Sequence, residues 1–332
     1  MPIGPVSNSH RQISVVEPVS PALERVKQML FHPFDAGKWF VIGFCAWLAG
    51  LGESGGGSFG GNNFNSTNTH SSPENFRDFV EKARDFTLHN LFWIVPLAAS
   101  LFLFLLALWA VLLWLNCRGK FMFLHCVALD KAEVIEPWNK FAAPANSFFW
   151  FRLVLGLAGM FLMLPPMGLI AVLIIKMVLA GAPDVAAILI AAGLVMFMFL
   201  TGIIFALIRK FNVDFVVPIL YLRGGTCLAA WGEFWKLLCA NAGLFTLFIL
   251  FQIAITMAIG VLVLFAVLLT CCVAGCLLLI PYIGTVLLLP VLIFKRSFSL
   301  YFLRQFGATY DVFPPSPPSP AVTGLAPVAP AA

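Results

Sequence analysis

Charged residues are scarce in this chain of 332 residues, where they make up 11% of the sequence against 61% for hydrophobic residues. Soluble domains carry about 25% charged residues, so the composition argues against a soluble globular protein. Several apolar runs exceed the roughly 18 residues that a helix needs to cross a bilayer. The alternating segments of a membrane barrel are missing. The sequence therefore predicts an all-α integral membrane protein.

Motifs for catalysis and for metal binding are also missing. The chain contains no G-x-S-x-G nucleophile motif, no H-E-x-x-H motif and no matched C-x₂-C pairs of the zinc type. Cys271, Cys272 and Cys276 are close in sequence, and we interpret them as small packing residues, with a disulfide as the alternative. No basic cluster is interleaved with aromatics. We predict no catalytic residue, metal, cofactor or nucleic-acid partner.

Six apolar runs are candidate spans, and the first of them, with only 13 residues, either crosses the membrane or dips into it. They cover residues 39–51, 91–116, 148–180, 185–208, 242–270 and 277–294. The third contains Pro165-Pro166 and is either one kinked helix or two short passes. Six crossings place all but four of the 20 Lys and Arg residues on one side of the membrane, as the positive-inside rule requires of the cytoplasmic side. We predict six crossings of a bacterial cytoplasmic membrane, with both termini in the cytoplasm.

This arrangement divides the chain into three segments. Residues 1–37 form a cytoplasmic segment with an amphipathic helix, which Ser20 caps and Pro33 ends. That helix lies either in the membrane interface or against the bundle. Residues 38–313 form the membrane domain, with an external Gly/Asn-rich loop at 52–72. Residues 314–332 form a disordered Pro-rich tail.

Two segments between spans resemble each other, and we call them the first elbow (118–146) and the second elbow (210–239). An ungapped alignment places Trp138 on Trp231 and Phe141 on Phe234. Each elbow combines an apolar stretch, a charged turn and a helical piece, which suggests a parallel internal repeat. Gly224 and Gly225 can adopt the positive φ of a sharp turn, and Thr226 can cap the next helix. The predicted interfacial or partner contacts are Trp138, Phe141, Arg223, Gly224, Gly225, Trp231, Phe234 and Trp235.

The second elbow also carries a family resemblance. Val217-Pro218-Ile219, Arg223-Gly224-Gly225 and Ala230-Trp231 resemble the cytoplasmic elbow of a membrane domain associated with bacterial glycerophosphodiester phosphodiesterases. Residues 44–52 and 297–313 resemble other parts of the same domain. The resemblance implies a six-helix fold and no known chemistry. The soluble phosphodiesterase domain has no counterpart in this chain, so its activity does not carry over.

Polar features are concentrated at the elbows, while the spans are nearly free of ionisable residues. This pattern favours a non-enzymatic membrane scaffold or accessory module, with membrane lipids and a membrane or cytoplasmic protein as its partners. The alternative is a transporter or permease for a small apolar or lipidic substrate. Its candidate pathway or kink residues are Pro165, Pro166, Gln252 and Thr256, because broken helices and polar groups within spans can form a substrate path.

Overall fold

A computed structural model describes residues 13–51, 82, 89–180, 184–270 and 273–313. This part of the chain is all-helical and contains no strand. The predicted loop at 52–72, Cys271, Cys272 and the tail at 314–332 lie outside the described residues. The helices are α1 (Val19–Phe31), α2 (Ala36–Gly50), α3 (Leu91–Leu129), α4 (Ile135–Lys140), α5 (Ala142–Ala180), α6 (Val185–Phe211), α7 (Val217–Arg223), α8 (Cys227–Ala240), α9 (Ala242–Leu269), α10 (Val273–Leu279), α11 (Pro281–Leu287) and α12 (Leu289–Arg304). A short 3₁₀ turn, Ala308–Tyr310, follows α12.

Four helical stretches are long and apolar enough to cross a membrane. They are α3, α5, α9 and the continuous stretch from α6 through α7. Helix α5 runs unbroken from Ala142 to Ala180 with Pro165 and Pro166 inside it. The interpretation of this run as one helix is therefore confirmed, although each proline removes a backbone hydrogen bond.

The first and sixth predicted spans, unlike the other four, are not long continuous helices. Helix α2 has 15 residues, which corresponds to about 22 Å at 1.5 Å per residue, whereas the hydrocarbon layer is about 30 Å thick. Residues 277–294 are divided among α10, α11 and α12, with breaks at Ile280 and Leu288. Prolines in the first turns of α11 and α12 suit these restarts. Six crossings therefore stay a prediction.

The packed core lies at the elbow end of the long helices. The C-terminal part of α3, the N-terminal part of α5 and the segments around both elbows supply its buried side chains, and α1, α2 and α12 pack around them. Phe215, Phe245, Phe248 and Phe302 form an aromatic cluster within it, with Phe248 and Phe302 ring centroids 4.4 Å apart. In contrast, no more than 11% of the most apolar 18-residue window of any long helix is buried. The long helices thus leave the core with most of their apolar surface uncovered.

Helix α1 packs on this core. Met29 and Leu30 are fully buried, and Nη2 of Arg25 donates to the carbonyls of Val127 and Ala128 at 3.0 and 2.9 Å. The N-cap is Pro18, so the prediction that Ser20 caps the helix is wrong. The helix ends at Phe31, two residues before Pro33.

One turn of π-helix, Asn212–Val216, joins α6 to α7. Such a turn leaves backbone and side-chain groups outside the regular hydrogen-bond ladder. Arg296 of α12 donates to the Val213 carbonyl, and Asp214 pairs with Lys210 at 2.9 Å. Asn212 is fully buried and accepts a hydrogen bond from Nε1 of Trp231 in α8. This turn of the second elbow therefore bonds to both α8 and α12.

Candidate functional site

The two elbows lie at the same end of the molecule and touch each other. The backbone N–H of Cys227, in the second elbow, donates to Oγ of Ser147 at the start of α5, at 2.9 Å. The rings of Phe141 and Tyr221 stack with centroids 4.5 Å apart. Because Phe141 belongs to the first elbow and Tyr221 to the second, this stack joins the two predicted segments directly.

The first elbow turns at Asp130, which has a left-handed conformation with φ 58°. Trp138 follows on the short helix α4 and lies edge-on to Trp114, with centroids 5.8 Å apart. The Arg118 guanidinium lies over both indoles, at 4.8 Å from Trp114 and 4.6 Å from Trp138. It also donates to the Trp138 carbonyl at 3.1 Å. Trp138 is therefore held by a cation–π contact and a hydrogen bond.

The second elbow turns as the sequence predicts. Gly224 and Gly225 have φ of 66° and 82°. Gly224 also has ψ of −157°, a region open almost only to glycine. Oγ1 of Thr226 accepts a hydrogen bond from the Ala229 N–H at 3.4 Å, which confirms Thr226 as the N-cap of α8. The glycine pair and the cap together set the direction of α8.

The aromatic residues of α8 have three different environments. Phe234 is fully buried and stacks on Phe215 with centroids 5.3 Å apart. Trp231 is half-buried and donates from Nε1 to Oδ1 of Asn212 at 2.7 Å. Trp235 is 57% exposed. Of the three, Phe234 is a core residue, whereas Trp231 and Trp235 reach the surface.

Trp231 and Trp235 line an apolar groove of about 480 Å³ between α5, α6 and α8, which we call the elbow groove. All of its lining residues are apolar: Phe151, Leu155, Ile204, Leu207, Ile208, Phe211, Leu228, Trp231, Trp235 and Leu238. The volume lies within the range of small-molecule sites. The groove can accept a hydrocarbon chain, and the described residues offer it no polar side chain for a hydrophilic ligand.

Arg223 makes polar contacts at the turn. It pairs with Glu233, and its guanidinium lies 5.6 Å from the centre of the Tyr310 ring. The Tyr310 hydroxyl donates to the same Glu233 oxygen at 2.7 Å. Burial, followed by this hydrogen bond, raises the pKa of Tyr310. These contacts fasten the C-terminal 3₁₀ turn to the second elbow.

The predicted pathway residues separate into two places. Gln252 and Thr256 line a cavity of about 390 Å³ between α6 and α9, together with Lys210. Gln252 is 4% exposed, and neither atom of its amide has a hydrogen-bond partner among the described residues. Pro165 and Pro166 lie inside α5 and do not line this cavity. The structure therefore brings together only half of the predicted pathway.

A further cluster at the first elbow contains potential metal ligands. A ring nitrogen of His125 and one carboxylate oxygen each of Glu133 and Glu136 lie within 4.8 Å of one another. The sequence predicts no metal site, because these residues are 8 and 11 positions apart along the chain. The only local signal is the i,i+3 pair of Glu133 and Glu136 directly after a helix that carries a His in its last turns.

Comparison with known proteins places the chain among related sequences. A model described as a family of unknown function (DUF7544) matches residues 13–289, which is most of the chain. Neither the curated proteins nor the solved structures contain a match. These comparisons show no link to the membrane domain of glycerophosphodiester phosphodiesterases, which stays a resemblance of sequence alone.

Proposed function

The chain belongs to this family of unknown function, and we propose that it is a non-enzymatic membrane scaffold that holds lipid at its second elbow. The observation that carries the proposal is the elbow groove, which is wholly apolar and open beside Trp235. Trp prefers the headgroup level of a bilayer. A groove at that depth with no polar lining suits the acyl chain of a lipid.

The uncovered long helices support a membrane scaffold. Since at most 11% of their most apolar windows is buried, lipid or another membrane protein must cover their sides. The packed core at the elbow end supplies a rigid base for such contacts. The proposal includes six crossings with both termini in the cytoplasm, an arrangement supported by the distribution of Lys and Arg.

The internal repeat is a further part of the proposal. In each elbow the preceding helix ends next to a residue with positive φ, Asp130 in the first and Gly224 in the second. The phenylalanine three residues after the aligned tryptophan of each elbow is buried, at 8% exposure for Phe141 and 0% for Phe234. The helical pieces differ in length, with 6 residues in α4 and 14 in α8. These features support a duplicated elbow, of which the second copy carries the groove.

Native mass spectrometry of protein extracted in a mild detergent tests the lipid site. The informative variant is Trp235→Ala. The matched control is Trp150→Ala, because Trp150 is similarly exposed at 59% and does not line the groove. We expect Trp235→Ala to reduce retained lipid about fivefold, which corresponds to roughly 1 kcal/mol of aromatic packing, while the control retains it. Equal lipid retention in the two variants would refute the lipid site.

A transporter is the second candidate, and the cavity beside Gln252 favours it. A buried amide without a partner is costly in an apolar span, and in transporters such groups face a substrate path. The test introduces Thr256→Cys into a background without other reactive cysteines, followed by labelling with an impermeant maleimide. Labelling from both sides of sealed vesicles would support a transport path. Protection from both sides would contradict it.

A further inference from the structure

The cluster at the first elbow joins three segments that are separate along the chain. His125 lies in the last turns of α3, Glu133 in the loop after Asp130, and Glu136 in the first turn of α4. The elbow folds these segments back on one another, so their potential ligand atoms come within 4.8 Å of each other. This site is distinct from the elbow groove and does not depend on the function proposed above.

His125 is held as a metal-binding histidine is usually held. It is fully buried, and its Nδ1 lies 2.9 Å from the Tyr221 hydroxyl. Nε2 is also buried and has no hydrogen-bond partner among the described residues. If Nδ1–H donates to the Tyr221 oxygen, Nε2 carries a free lone pair. A ligating histidine almost always donates its other ring N–H to such a second partner. The Phe141 ring, 5.6 Å from the imidazole, further limits its rotation.

The two carboxylates supply the negative charge that a cation needs. Lys131 approaches Oε1 of Glu133 at 3.7 Å, whereas Oε2 of the same residue is buried with no hydrogen-bond partner in the described part of the chain. Glu136 is exposed and provides an entry from solvent. Two carboxylates held this close repel each other unless a proton or a cation lies between them. A buried imidazole with a ring nitrogen within 4.8 Å of both carboxylates makes a cation the better partner.

We propose that His125, Glu133 and Glu136 bind one divalent transition-metal ion of the zinc class. One nitrogen and two oxygen ligands suit zinc better than calcium, which takes oxygen ligands. Three protein ligands leave a fourth position for water. The ion would fasten α4 and its loop to the end of α3. Through Tyr221, which belongs to the second elbow, it would couple the positions of the two elbows.

Zinc titration of untagged protein tests this proposal. The protein is stripped with a chelator in detergent and titrated calorimetrically with Zn²⁺, with Ca²⁺ as the comparison ion. We expect one Zn²⁺ per chain and no binding of Ca²⁺ at the same concentration. Glu136→Gln is the first variant, because its exposed side chain can be changed without disturbing the core, and we expect at least about a tenfold loss of affinity.

Two further variants distinguish this site from incidental zinc binding. Tyr221→Phe keeps the ring stack with Phe141 and removes only the hydroxyl that orients His125, so we expect affinity to fall about 10- to 100-fold. Glu24→Gln changes an exposed carboxylate on α1 and should leave affinity unchanged. The proposal is overturned if folded protein binds no Zn²⁺, or if Glu136→Gln and Tyr221→Phe bind it as tightly as Glu24→Gln does.

Discussion

The contact between α2 and α3 allows the sharpest test of this fold. At Gly119 a Cβ atom would lie 2.5 Å from the backbone nitrogen of Ala49 and 2.6 Å from the carbonyl carbon of Leu48. These obstacles are backbone atoms, so no side-chain rotation relieves the clash. Gly119→Ala must therefore push α2 away from α3.

The size of this effect follows from what α2 would lose. Over-filling a packed interior usually costs about 1–3 kcal/mol. Asn116 of α3 donates to the carbonyls of Ala49 and Leu51, at 2.5 and 2.7 Å. Weakening these two bonds adds about 1 kcal/mol each. Together these losses should lower the free energy of unfolding of Gly119→Ala by about 3–5 kcal/mol.

Thermal unfolding in detergent, followed by circular dichroism, measures this change. At about 2 °C per kcal/mol for a chain of this size, the Tm of Gly119→Ala should fall by about 6–10 °C. Gly193→Ala on α6 is the matched control, because a Cβ there meets nothing within 4 Å. The control should be neutral or slightly stabilising, since Ala favours helix over Gly. If the two variants unfold at the same temperature, the close approach of α2 and α3 is wrong.

Three further predictions concern the second elbow and α9, each measured by the same thermal unfolding. Gly224→Ala should cost about 1–3 kcal/mol through its backbone conformation alone, since a Cβ there meets nothing within 4 Å; an effect no larger than that of Gly232→Ala would count against the turn. Thr226→Ala should cost about 1 kcal/mol by removing the cap of α8, and Thr226→Ser should restore most of it. Gln252→Leu should be neutral or stabilising, because it removes a buried amide without a described partner; strong destabilisation would instead reveal a partner for that amide.

Local signals in the sequence predicted the second elbow well. The glycine pair and the Thr226 cap both follow from short-range chemistry, since positive φ and capping depend on neighbours along the chain. Phe234, which the sequence placed among the interfacial contacts, is instead fully buried. The sequence also predicted that α5 continues as one helix through Pro165-Pro166, because an apolar run of that length favours a single helix. The predicted start of α1 was wrong, because Pro18 occupies the N-cap position that we expected Ser20 to hold.

Features that depend on contacts between residues far apart in sequence were not predicted. Residues 277–294 contain no charged residue, yet breaks at Ile280 and Leu288 allow α11 and α12 to pack against α2 and α1. Composition alone does not distinguish such a broken run from a continuous span. The approach of His125 to Glu133 and Glu136 depends on the fold of the first elbow, which no short spacing along the chain reveals.

The amino-acid sequence alone determined that this chain is helical and apolar, where its long helices run and where its glycine turn lies. These properties depend on hydrophobicity and on backbone conformation, which act over a few residues. Only the tertiary structure decided that the two elbows meet, that Trp231 and Trp235 border a groove, and that three potential metal ligands converge. Those features depend on which helices pack together, and packing is decided by contacts between residues far apart in sequence.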